Sequence, residues 1–158
     1  MSRATKVLID TNLFIRAMRG SQPALELFRA AKAGVIVPVL SYKLALEYGE
    51  IAEQQAEGIK PGPSDFVLDV VESDSLLRRD PALTAMQPLS DDPEDDFVVA
   101  LARSTGALLI TDDQALLNTM AADIPRVGFF DAVESLRAHG TINVALADRY
   151  GKPYLQAG

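Results

Sequence analysis

Short apolar runs alternate with helix-patterned segments along most of this 158-residue chain, and that alternation constrains the fold more than any other feature. Residues 5–9 (TKVLI) read as a buried strand that Asp10 ends. Residues 23–33 (PALELFRAAKA) set Leu25, Phe28 and Ala31 at helical spacing, with Gly34 past the end. Residues 35–40 (VIVPVL) predict a second strand, with Pro38 near one end or on an edge. Ser41 opens a longer helix to about residue 55, which Gly58 closes. A KPGPS loop at 60–64 precedes a helix-like stretch over 65–77, carrying Phe66, Val67, Val70 and Val71. Residues 78–92 read as a loop, with a short strand expected near 85–89.

The second half is more regular. Pro93 stands at a first helical position and the helix runs to Ser104, with Gly106 beyond. ALLI at 107–110 is a strand, and Asp112 or Asp113 starts a helix to about residue 121. Residues 125–129 predict another strand, and 131–138 a helix that Gly140 caps. The pattern implies a three-layer α/β/α sandwich with a mainly parallel central sheet. The expected organisation is one domain over residues 1–140, followed by an extension over 141–158 with no assigned role.

Composition removes several chemistries. There is no Cys, so disulfides, thiolate metal sites and cysteine nucleophiles are excluded. His139 is the single His and sits where a helix C-terminus favours a cation. The net charge of −7 argues against a broad footprint on duplex DNA. It leaves room for a nuclease whose metal ion supplies the positive charge. No apolar run approaches a membrane span. The N-terminal MSRATKVLID has no apolar leader core, so the expectation is a cytoplasmic chain without membrane contact.

In parallel α/β sheets, ligands gather outside the carboxyl ends of the strands. Acids stand there. Asp10 follows the first strand, Asp112 and Asp113 follow LLIT, and Asp91, Asp92, Glu94, Asp95 and Asp96 crowd the start of the preceding helix. Each has a plainer reading as a helix cap or turn residue. Glu47 is harder to explain that way. It shares a helical stripe with Leu44, Tyr48 and Ile51, so it faces the core or a cleft and needs a basic partner or a site. Tyr48 reads as core. Two like charges about 4 Å apart repel by roughly 4 kcal/mol at an effective dielectric near 20. If the acids converge, the occupant they call for is a hard divalent cation, Mg²⁺ or Mn²⁺. With no triad available, hydrolysis of a phosphodiester by metal-activated water is the matching chemistry.

Three motifs carry a resemblance. They are VLIDTN at residues 7–12, SYKLALE at 41–47, and DPEDDFVVALARSTGALLITDD at 92–113. In this order and spacing the chain resembles PIN-domain proteins, metal-dependent ribonucleases common as the VapC-like toxins of toxin–antitoxin pairs. The resemblance implies that Asp10, Glu47, Asp95 and Asp113 are the catalytic and metal-binding acids, served by Mg²⁺ or Mn²⁺. It implies supporting roles for Asn12, Ser41 and Thr111, which orient the acids or contact phosphate, and for Asp96 as an accessory acid. Asp112 occupies a place often held by Gly or a basic residue, where an acid weakens backbone approach by RNA. The implied partners are an RNA substrate, an antitoxin protein and a second copy in a homodimer. Arg16, Arg19, Lys43, Arg78 and Arg79 are candidates to guide single-stranded RNA, each with a plain reading as a solvated surface charge. Two other readings stand beside this one: a PIN-like module that binds RNA or protein without catalysis, and a phosphotransfer enzyme. A dehalogenase-like phosphatase would need a second Asp where Asn12 stands, and neither the acceptor Asp nor the Lys of a receiver domain is evident.

Overall fold

The computed structural model describes residues 4–56, 63–78, 93–120 and 123–142. The side chains of residues 55–56, 63–64 and 93–95 lie outside that description. Among these residues five strands, all parallel, form one sheet: β1 (Thr5–Ile9), β2 (Ile36–Ser41), β3 (Leu76–Arg78), β4 (Leu108–Thr111) and β5 (Arg126–Gly128), in the order β3-β2-β1-β4-β5. The helices among the described residues are α1 (Thr11–Met18), α2 (Gln22–Lys32), α3 (Tyr42–Ala56), α4 (Pro63–Asp74), α5 (Pro93–Thr105), α6 (Gln114–Thr119) and α7 (Phe129–His139). They flank the sheet, as expected of an α/β/α sandwich.

The strands are apolar because both sheet faces are covered. Val7, Leu8, Ile36, Leu108, Leu109 and Ile110 are fully buried. Helices α1, α2 and α4 pack on one another, α5 packs on β4, and α6 on β5. Moving out from β1, connections run to β2 and β3 on one side and to β4 and β5 on the other. The direction of the connections thus reverses between the neighbours β1 and β4, and in a parallel sheet that switch point opens a crevice outside the strand ends.

Several expectations need correction. Helix α1 is absent from the sequence reading. Its buried residues Leu13, Phe14, Ala17 and Met18 are helically spaced, but it has only eight residues and directly follows a strand. The helix expected to reach residue 77 ends at Asp74, and Leu76–Arg78 forms β3. All three β3 residues are exposed, so no alternation marks them. Pro38 lies in an interior strand, yet the β3 ladder starts only at Val39, so at Pro38 the strand has a ladder neighbour on one side. The α7 helix begins at Phe129, where the sequence pattern predicts the end of a strand. Gly140 adopts φ 68° beyond His139, the left-handed cap expected of Gly. Ile142 also packs into the core. The strand expected near 85–89, Gly58, Arg79, Asp91 and Asp92 lie outside the described residues.

Candidate active site

Register sets the rim of the crevice. Ile9 pairs with Ile110, so Asp10 comes level with Thr111 at the next step, and the Asp10 N–H donates to the Ile110 carbonyl at 3.0 Å. Thr111 pairs in turn with Gly128. The carboxyl ends of three adjacent strands therefore meet, and Ser41 ends β2 beside them.

Thr111, fully buried, is the hinge of the acid set. Its hydroxyl donates to Asp10 Oδ2 at 2.6 Å and accepts the Asp113 N–H at 3.1 Å. Asp113 Oδ1 accepts the Leu116 N–H at 3.1 Å, capping α6. The cap and a ligand role are compatible, because one carboxylate oxygen serves the helix and the other is left over. Asp10 is partly buried and precedes α1. Burial pushes its pKa up, its hydrogen bonds from Thr111 and from the Asn12 backbone pull it down, and the charges of Asp112 and Asp113 push it up again. The net direction is upward.

Helix α3 is fastened to this rim at two points. Ser41, with no exposed surface, caps it by accepting the Leu44 N–H at 3.2 Å. The buried Tyr48 donates to the Ile9 carbonyl at 2.7 Å, one residue before Asp10, and stacks on Phe14 at 4.2 Å between ring centroids. Burial and the charges of Asp10 and Glu47 push the Tyr48 pKa up, so the phenol remains a donor. Tyr48 is core, as its stripe indicated, and it is also the anchor that holds the end of β1. Nothing in the sequence marks that second role. Glu47 is half-buried beside it, with no ion pair among the described residues. The Lys43 ammonium lies 4.4 Å from the centre of the Phe97 ring. That contact ties the first turn of α3 to the early turns of α5, where Asp95 and the half-buried Asp96 stand. The side chain of Asp95 lies outside the described residues.

Asp112 points to another partner. It forms an ion pair with Arg16 of α1, whose guanidinium also lies 5.9 Å from the centre of the Phe129 ring. Arg16 is therefore a paired cation at the rim, and it offsets the extra acid. Asn12 is exposed on the first turn of α1, and Arg78 is exposed on β3.

Among the described residues no group of three His, Cys, Asp or Glu side chains stands close enough to hold a metal by itself. The donor set still suits a hard cation: Asp10 and Asp113 are joined through Thr111, offer oxygen ligands only, and pair with no Lys or Arg among the described residues.

A family model described as PIN domain matches residues 6–115, more than two thirds of the chain. The chain belongs to the PIN-domain family. The matched span contains every acid named at the rim, from Asp10 to Asp113, and the PIN domain is a nuclease-type fold. No curated protein matches the chain closely enough to add a relative to that finding. Within this PIN domain, sequence reasoning placed Asp10, Ser41, Thr111 and Asp113 where the strand ends meet. It missed the Arg16–Asp112 pair and the aromatic pair Phe129–Phe130, whose position directly after β5 was the available signal.

Proposed function

We propose that this PIN domain is a metal-dependent endoribonuclease, acting in the cytoplasm as the toxin of a toxin–antitoxin pair. The observation that supports the reading best is the Asp10–Thr111–Asp113 linkage at the strand switch point: the Thr111 hydroxyl donates to the Asp10 carboxylate and accepts the backbone N–H of Asp113, and neither carboxylate is paired with a Lys or Arg among the described residues. Asp10, Asp95 and Asp113, with Glu47, would hold Mg²⁺ or Mn²⁺. When bound, such an ion lowers the pKa of water and stabilises negative charge on a phosphoryl oxygen. Thr111 fixes the rotamer of Asp10, and the α6 cap fixes that of Asp113, so both carboxylates are preorganised. Glu47, half-buried and without a basic partner among the described residues, is the group on hand to take a proton from the attacking water. Asp96 is an accessory acid, Asn12 supports Asp10, and Ser41 caps helix α3, which carries Glu47. The domain comprises residues 1–140, and 141–158 form an extension. A protein antitoxin and a second copy in a homodimer are the proposed partners. No helix among the described residues is long and apolar enough to cross a membrane.

The test is incubation of the protein with a mixed RNA pool in Mn²⁺ or in EDTA, beside Asp10→Asn and Asp95→Asn. Cleavage in Mn²⁺ that chelation and either substitution abolish is the expected result. Cleavage indifferent to all three would refute the mechanism. A protein that neither cuts RNA nor melts at a higher temperature in Mn²⁺ would be a binding module instead.

A further inference from the structure

The rim continues past the acids onto a surface that catalysis by carboxylates does not require. Thr111 pairs with Gly128, the last residue of β5, so the first residues of α7 stand beside the Thr111–Asp113 turn. Phe129 is buried there, while Phe130 is 56% exposed, with ring centroids 5.2 Å apart. Helix α7 packs through Phe129, Ala132, Val133 and Ser135, so the Phe130 ring lies off its buried face. Next to this pair lies the half-exposed Arg16 guanidinium, over Phe129 and held by Asp112. A single exposed Phe is ordinary on a protein surface. Here it is joined, through Phe129, to a fixed guanidinium that borders the acid set.

An exposed aromatic face beside a fixed cation is the pairing used for unpaired nucleotides: the ring stacks a base, and the guanidinium meets a phosphate. We infer that Phe130 and Arg16 form the docking strip for a nucleotide next to the scissile bond, with Asp112 as the positioning residue for Arg16. The inference rests on the ribonuclease reading above and adds to it the side chains that would seat the single strand expected there. A base can stack on Phe130 only when unpaired, so the substrate is single-stranded RNA or an unpaired loop, and duplex RNA is refused. With one guanidinium on the strip and a chain charge of −7, its electrostatic share of binding is small. Loss of Arg16 should flatten the salt dependence by about 0.7 in log–log slope, the value for one phosphate contact on a single strand.

The chain has no Trp, so Phe130→Trp introduces its one indole at the proposed stacking position. In an Asp95→Asn background with Mn²⁺, a short single-stranded RNA should quench that indole, and a duplex of the same sequence should not. In cleavage assays, Phe130→Ala and Arg16→Ala should each raise KM for single-stranded RNA about tenfold with kcat within about twofold, and Phe130→Tyr should restore KM. Melting temperatures close to wild type would show that the variants fold. If wild type cuts RNA while Phe130→Ala keeps the wild-type KM and the indole is silent, the strip is wrong and Phe130 faces a protein. If wild type cuts no RNA, the ribonuclease reading falls, and quenching by single strands alone still decides whether the strip binds them.

Discussion

Thr111→Val removes one hydroxyl oxygen and keeps the side-chain shape, so it separates hydrogen bonding from packing at the centre of the rim. The wild-type hydroxyl donates to Asp10 at 2.6 Å and accepts the Asp113 N–H at 3.1 Å. A bond to a charged acceptor contributes about 1.5–3 kcal/mol, and the lost acceptor for Asp113, which water can reach, about 1 kcal/mol more. The extra methyl of Val, fully buried, returns about 0.8 kcal/mol. The net loss is about 2–3 kcal/mol, which for a chain of this size lowers Tm by about 4–12 °C. The effect has a pH signature. Folded Asp10 has a pKa raised above 3.8, by burial first and then by the charges of Asp112 and Asp113, against the pull of its hydrogen bonds. It binds its proton more tightly folded than unfolded, so stability falls as pH rises from 3.8 through the raised value, and the deficit persists at neutral pH. Removing the Thr111 bond takes away an influence that lowers the pKa. The Thr111→Val penalty should therefore be largest near neutrality and shrink as pH drops below 3.8, where the carboxyl is protonated in both states. Thermal melts of wild type, Thr111→Val and Thr111→Ser across that range are the assay; Thr111→Ser keeps the hydroxyl and loses one buried methyl, so it should cost only about 0.8 kcal/mol, with no dependence on pH. A Val variant within about 0.5 kcal/mol of wild type near neutrality, or a penalty that grows on acidification, would refute the reasoning.

Three further outcomes follow from the same geometry. Asp10→Asn should raise Tm in metal-free buffer near neutrality, because the amide still accepts from Thr111 and a charge beside Asp112 and Asp113 is gone. It should also abolish Mn²⁺ stabilisation, which in wild type is about 2.7 kcal/mol at a hundredfold excess over Kd; a lower metal-free Tm would contradict this. Tyr48→Phe leaves the buried Ile9 carbonyl without its 2.7 Å donor and should cost about 1–2 kcal/mol in denaturant melts. Arg126, only 9% exposed, donates to the carbonyls of Ile124, Leu117 and Met120, so Arg126→Met should cost about 3 kcal/mol or more, with Arg126→Lys unable to restore the forked geometry.

Much of the framework was readable along the chain because its signals are local. The apolar runs of β1, β2 and β4 and the stripe Leu44–Tyr48–Ile51 follow from side-chain periodicity. Caps and stops at Ser41, Asp113 and Gly140 follow from which residues can satisfy orphan backbone groups or accept positive φ. The order of the three acidic motifs was enough to point to the PIN-domain family, since strand ends in a parallel sheet collect on one rim.

Elements held by packing alone escaped. β3 is three exposed residues that become a strand only because β2 offers them a ladder, and α1 is eight residues stabilised by burial against α2, α3 and α4. The alternating pattern of residues 5–9, 35–40 and 107–110 thus determined the α/β class, the strand ends and the acids that follow them. The tertiary structure alone decided that Thr111 meets Asp10 across 101 positions, that Arg16 turns to Asp112, and that Phe130 remains exposed beside them. The physical reason is that periodicity and capping act within a few residues, whereas register and side-chain pairing across the sheet exist only once distant segments are brought together.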